Sequence, residues 1–69
     1  MIDEDTFNLE VRKLLKTFGV GAQREIEKAV DEAVDGGRLT GDERLAASIR
    51  LDIPEVDLSF TTDGDIRLS

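Results

Sequence analysis

Several residue types are missing from this 69-residue chain: it has no cysteine, histidine, tyrosine or tryptophan, and it has a single proline. Without cysteine there is no disulfide, no thiolate nucleophile and no zinc–thiolate site. Without histidine the commonest general base and nitrogen metal ligand are absent, and without tyrosine and tryptophan so are the best platforms for stacking nucleic-acid bases. We therefore expect no enzyme activity, no cofactor and no metal site.

Long apolar runs are also missing. No stretch approaches the roughly 20 apolar residues of a membrane span. The first five residues are acidic where a signal peptide would carry basic ones. The expected location is therefore the cytoplasm, and no contact with membranes is expected.

Basic residues are few, since 9 lysines and arginines stand against 16 acidic residues and give a net charge of −7. Such a charge repels nucleic acid over most directions of approach. The length indicates one domain, residues 1–69, near the size at which a single core contributes only a few kcal/mol of net stability. Dimerisation would be a natural supplement.

What the chain does contain is a strict two-residue alternation from Leu45 to the C-terminus. It predicts three short strands that share one apolar face, in an antiparallel meander. The first strand is expected at Leu45 to Ile53, with a turn at Pro54-Glu55 that sets Ile53 opposite Val56. The second turn is expected to be a three-residue loop, Thr62 to Gly64, with Gly64 in the left-handed conformation, because that loop sets Ile66 opposite Phe60.

The N-terminal half has helical periodicity. A first helix is expected to begin at a cap from Asp3 or Asp5 and to end at Gly19, with its apolar stripe at Phe7, Val11, Leu14, Leu15 and Phe18. A second is expected from about Ala22 to Asp35, ended by Gly36 and Gly37. The predicted fold is α+β: a two-layer ααβββ arrangement in which both helices pack on one face of the three-stranded meander.

Four segments of the chain resemble a family of short bacterial proteins of unknown function. They are Glu4-Asp5-Thr6-Phe7-Asn8, Gly19-Val20, Gln23 to Val30 and Asp63-Gly64-Asp65-Ile66. The resemblance covers nearly the whole chain and implies no activity, ligand or catalytic residue. It departs from the expected pattern at Gly21-Ala22, where we would expect hydroxyl residues able to cap the second helix.

Two groups of residues are candidates for outside contact. On the polar sheet face the expected register sets Arg50, Ser59 and Arg67 in one row, which could hold a carboxylate or phosphate. The alternative is that Asp52, Asp57 and Asp65 pair with these arginines on a solvated face. Leu9 points away from the helical stripe, and Ser48 and Ile49 lie at the middle of the first strand, so these three are candidate interface residues.

The leading functional prediction is a small acidic protein-interaction module that associates with itself. A different class is an acidic decoy, or inhibitor, of a nucleic-acid-binding protein. A winged-helix-like DNA-binding domain is less favoured, because the buried positions of its second helix would fall on Glu25 and Lys28.

Overall fold

The computed structural model describes all residues, Met1–Ser69, as one helix followed by one hairpin. Helix α1 spans Glu4–Asp35, strand β1 spans Arg44–Ile53, a 3-10 turn spans Pro54–Val56, and strand β2 spans Leu58–Arg67. The predicted ααβββ arrangement is therefore wrong. The chain has one long helix and two antiparallel strands, in place of two helices and three strands.

Helix α1 begins as expected. The Asp3 carboxylate accepts hydrogen bonds from the main-chain N–H groups of Asp5 at 3.1 Å and Thr6 at 3.2 Å. Glu4 and Asp5 add negative charge in the first turn, where the helix dipole favours it. The N-cap prediction for Asp3 is confirmed.

The predicted end of this helix at Gly19 is wrong, because Gly19 and Gly21 lie inside one 32-residue helix. At about 100° per residue, Ala22 lies only about 40° around the helix from Phe18, and Ala29 only about 20°. The apolar positions before and after Gly19 are thus in phase, so no turn is needed to bring them to one side. The continuous set is called the helix stripe: Phe7, Val11, Leu14, Leu15, Phe18, Ala22, Ile26, Ala29 and Ala33.

The helix ends where the paired glycines predict. Gly37 has a left-handed φ of 78°, and its N–H donates to the carbonyl of Val34 at 3.1 Å. The N–H of Arg38 donates to the carbonyl of Ala33 at 2.8 Å. Together these two bonds form a Schellman cap, so the prediction for Gly36 and Gly37 is confirmed.

The turn between the strands is two residues longer than expected. Ile53 lies opposite Leu58 instead of Val56, because Pro54–Val56 forms a 3-10 turn and Asp57 follows it with a left-handed φ of 54°. The N–H of Asp57 donates to the carbonyl of Pro54 at 3.1 Å. Val56 therefore leaves the strand for the turn, but since the register moves by two residues, every side chain that stays in the two strands keeps its expected face.

The predicted loop at Thr62 to Gly64 is also wrong, because β2 passes straight through these residues. Gly64 lies opposite Ala47, and it is not among the residues with positive φ. Phe60 faces Leu51, and Ile66 faces Leu45, so Phe60 and Ile66 are not cross-strand partners. An unbroken strand puts Phe60 and Ile66 on one face just as well, since they are an even number of residues apart.

The hairpin has one apolar and one polar side. The apolar side is called the hairpin face: Leu45, Ala47, Ile49, Leu51, Ile53, Leu58, Phe60 and Ile66, with Thr62 and Gly64 between them. The molecule measures 54 × 20 × 18 Å. None of its 69 residues is buried, so the single chain has no hydrophobic core.

Candidate assembly surface

The most unusual property of the molecule is the exposure of its large apolar side chains. On the helix stripe, Leu14 is 62% exposed and Phe18 is 50% exposed; on the hairpin face, Phe60 is 57% exposed. The half-buried apolar side chains of the helix and strands are Ala22, Val30, Ala33, Leu45, Ala47, Leu51 and Ile66. Helix and hairpin therefore cover each other only in part.

A cavity of about 380 Å³ lies between the helix stripe and the hairpin face. It is bounded by Leu14, Leu15 and Phe18 on the helix and mainly by Ile49, Leu51 and Phe60 on the strands. Protein interiors are packed to the density of organic crystals, with few voids larger than a water molecule. A gap of this size among apolar side chains indicates that the two layers are not closed by this chain alone.

The total accessible surface supports the same conclusion. The chain exposes 6297 Å², whereas a compact monomer of its 7.6 kDa mass would expose about 4300 Å². The excess is roughly 2000 Å² per chain. Obligate homodimers bury about 2000 to 5000 Å² in total, and two chains that each hide this excess fall inside that range.

The free edge of β1 is a second unsatisfied surface. Just beyond the strand ends, the N–H of Leu68 donates to the carbonyl of Glu43 at 3.1 Å. Hydrogen-bonded pairs alternate along an antiparallel ladder, so the odd-numbered residues of β1 bond to β2. The free edge consists of the outward N–H and C=O groups of the even-numbered residues: Arg44, Ala46, Ser48, Arg50 and Asp52.

The predicted anion-contact residues are not in one row. Arg50 lies opposite Thr61, Ser59 lies opposite Asp52, and Arg67 lies opposite Arg44. All three are on the polar side, but Arg67 is six positions along the ladder from Arg50, or roughly 20 Å. The Nε of Arg50 instead forms an ion pair with Asp52 at 3.0 Å, as the alternative interpretation proposed for an arginine on this face.

The three predicted interface residues lie on three different surfaces. Leu9 is exposed on the helix side opposite the helix stripe, Ser48 is central on the free edge of β1, and Ile49 is half-exposed on the hairpin face. Ser48 and Ile49 are close only because they are consecutive in the sequence, and Leu9 lies on a separate surface. Their roles as contacts stay predictions.

The linker between α1 and β1 is held by hydrogen bonds from its backbone to the side chain of Glu43. The Glu43 carboxylate accepts hydrogen bonds from the N–H groups of Thr40 at 2.8 Å and Gly41 at 2.9 Å. The bond from Thr40, then that from Gly41, lowers the pKa of Glu43 below its ordinary value. These bonds hold the linker in the conformation that leads into β1.

Two further structural findings bear on the chemistry of the surface. No three carboxylates lie close enough together to hold a metal ion. The helix of this structure also lacks an apolar stretch of the length that a membrane crossing needs.

Sequence reasoning missed two features of this surface. The helix stripe could have been found from its eleven-residue recurrence, since Phe7, Phe18 and Ala29 are evenly spaced, as are Val11, Ala22 and Ala33. The opposite charges of Arg44 and Asp52, near the two ends of the free edge, could not be assigned a role before the direction of each backbone N–H was known.

Comparison with known proteins yields one match. A family model matches residues 2–69, and its description reads "Family of unknown function (DUF6494)". No curated protein and no solved structure matches the chain.

Proposed function

This chain belongs to DUF6494, a family of unknown function, and we propose that it acts as a self-associating protein-interaction module whose apolar surfaces are covered by a second copy. The observation that carries the proposal is the absence of any buried residue in a chain with two well-formed apolar surfaces. Large exposed apolar patches on folded proteins mark sites of association. We propose the cytoplasm as its location.

A second copy is the occupant that the dimensions favour. The surface in excess is roughly 2000 Å² per chain, which is the area that one equal partner in an obligate dimer would cover. The helix stripe and the hairpin face are both apolar, so the stripe of one copy can cover the hairpin face of the other. The charge of −7 opposes contact between copies at long range, so the contact must lie where few acidic side chains project.

Sedimentation equilibrium at tens of micromolar protein, in moderate salt, tests the proposal. The expected result is a species with about twice the 7.6 kDa chain mass. A single 7.6 kDa species with a helical circular-dichroism spectrum would overturn it.

A matched pair of variants locates the contact on the helix. Leu14 and Leu9 are 62% and 64% exposed and lie on the same helix, but they point about 140° apart. Leu14→Glu places a charge on the helix stripe and is expected to shift the protein toward monomer. Leu9→Glu makes the same chemical change outside the stripe and is expected to leave the dimer intact; equal loss in both variants would contradict the assignment to the stripe.

A further inference from the structure

We infer that two copies join edge to edge through β1, antiparallel about a two-fold axis at Ser48, to form a four-stranded sheet. This inference rests on the proposed self-association and adds the contact surface and its register. The five even-numbered residues of β1 direct their N–H and C=O groups away from β2. An exposed row of this kind is a template for pairing with another strand.

The faces of the sheet restrict the register. A two-fold axis perpendicular to the sheet keeps both hairpin faces on the same side, and this requires odd-numbered residues to lie opposite odd-numbered ones. An axis at Ser48 meets this condition. It also uses all five outward-facing residues of each copy, since Ser48 pairs with the partner's Ser48, and Ala46 with the partner's Arg50.

Charge complementarity selects this register among the neighbouring ones. With the axis at Ser48, Arg44 lies opposite the partner's Asp52, and symmetry repeats the pair at the other end. Within each chain Arg44 lies 4.0 Å from Asp65 and Asp52 lies 3.0 Å from Arg50, so the pair across the axis joins these two ion pairs into one network. On the hairpin face, Leu45 lies opposite the partner's Leu51, and small Ala47 opposite the partner's larger Ile49. Opposite charges and apolar pairs directly across an antiparallel ladder are stabilising.

The alternative axes are less favourable. An axis at Ala47 sets Arg44 against the partner's Arg50, and an axis at Arg50 sets that residue against its own copy. Like charges directly opposite each other destabilise a sheet. An axis at Ile49 gives neither Arg44 nor Asp52 an opposite charge, and it engages only four of the five outward-facing residues.

The free edge of β2 offers a poorer surface. Its outward residues include Asp63 and Asp65 against a single Arg67. A full-length pairing of β2 with itself either sets Asp63 against the partner's Asp63 or brings no opposite charges together. Strand β1 contains neither glycine nor proline, whereas β2 contains Gly64 near its middle, which weakens a strand.

Pairing through β1 also places both helices over the apolar side of the four-stranded sheet. The four-stranded sheet is roughly 15 to 20 Å wide, and two helices of about 10 Å diameter cover that width side by side. Both helices lie over the same side, because the two hairpin faces do. Each helix stripe can then contact the four-stranded sheet and the other helix, which closes the cavity left open in one chain.

Cysteine cross-linking tests the position of the axis, and the chain has no cysteine of its own to interfere. Ser48→Cys is expected to form a covalent dimer under mild oxidation, because opposite Cα atoms in a hydrogen-bonded pair are about 5.5 Å apart. Ala46→Cys is the control. Its partner copy would be four residues along the ladder, about 13 Å away, so no disulfide is expected.

Proline substitution tests the edge itself. The N–H of Ser48 points away from β2, so Ser48→Pro removes a donor from the free edge while the bonds within the hairpin remain. The variant is expected to be monomeric with its helix retained. Ala47→Pro, one residue earlier, removes a bond inside the hairpin and is expected to destabilise the chain itself.

Charge reversal tests the register. Arg44→Asp and Asp52→Arg are each expected to raise the dimer Kd by about tenfold. The double variant restores opposite charges across the axis and is expected to recover most of the affinity.

The outcomes separate this inference from the proposed function. A wild-type dimer by mass whose Ser48→Cys variant does not cross-link and whose Ser48→Pro variant stays dimeric would overturn the β1 pairing and leave self-association standing. A monomeric wild-type chain would overturn both. Cross-linking by Ser48→Cys supports the pairing even if Ser48→Pro fails to fold.

Discussion

At the scale of single residues, the left-handed conformation of Asp57 fixes the end of the hairpin turn. Asp57 is the one residue other than glycine with positive φ, at 54°. A β-branched side chain is poorly tolerated there, so Asp57→Val is expected to lower the free energy of unfolding by about 1 to 2 kcal/mol. Urea denaturation would measure the loss, and Asp57→Gly, which adopts this conformation without strain, should largely avoid it.

Gly64 is expected to behave in the opposite way, because it lies in an extended strand. A Cβ added there would meet nothing within 4 Å. Glycine weakens a strand interior and β-branched residues favour one, so Gly64→Val is expected to leave stability unchanged or raise it by up to about 1 kcal/mol. A loss of more than about 1 kcal/mol in the same urea experiment would contradict the unbroken strand and favour a left-handed turn.

Glu43 is expected to make stability depend on pH. Its pKa is lowered in the folded chain by the N–H groups of Thr40 and Gly41, so the ionised form stabilises the linker. That contribution is fully present above the unfolded-state pKa and is lost as pH falls through the lowered folded pKa. Glu43→Gln should therefore melt at a lower temperature than the wild type at pH 7, with the difference closing as the pH falls through the lowered folded-state pKa of Glu43. A constant difference across this range would remove the carboxylate from the explanation.

At the scale of elements, the sequence predicts which residues share a face better than it predicts where a helix or strand ends. Asp3 as the N-cap, the stop at Gly36-Gly37 and the apolar face of the strands are all as expected. The errors fall at Gly19 and at Thr62 to Gly64. In both places glycine permits a turn, but the apolar residues on either side already share a face without one, so periodicity alone does not distinguish a turn from an unbroken element.

For the candidate assembly surface, the sequence likewise predicted the face on which a residue lies but not its cross-strand partner. Ser48 could be placed near the middle of a strand from the alternation of Leu45 to Ile53. The row of Arg50, Ser59 and Arg67 could not be tested without the register, because a two-residue change in the turn at Pro54 moves every cross-strand partner while leaving each face intact.

Gly19→Ala distinguishes a continuous helix from one that ends at Gly19, because the two cases predict opposite changes in the free energy of unfolding. In a helix interior alanine is favoured over glycine by about 1 kcal/mol, and a Cβ at Gly19 meets nothing within 4 Å. We therefore expect the substitution to raise the free energy of unfolding by about that amount. Gly37→Ala is the control at a true left-handed cap, and it should lower stability. A loss at both positions would indicate a cap at Gly19.

At the scale of the whole molecule, the proposed self-association covers apolar surface that the single chain leaves exposed, and so adds to its stability. Complete unfolding of the proposed dimer includes its dissociation, so the melting temperature is expected to depend on protein concentration. A tenfold rise in concentration is expected to raise the melting temperature by roughly 5 °C, given the entropy of unfolding of two chains of this length. Circular dichroism at 5 and 50 micromolar would measure it, and equal melting temperatures would argue for a stable monomer.

The separation of the chain into one unbroken helix and one hairpin has a consequence for the rate of folding. Both elements form from contacts close in sequence, and such elements appear within about microseconds. No long loop has to be closed before the helix or the hairpin can form. For the proposed dimer the slow step is the encounter of two partly ordered chains, so refolding is expected to follow second-order kinetics, with a half-time that shortens in inverse proportion to concentration.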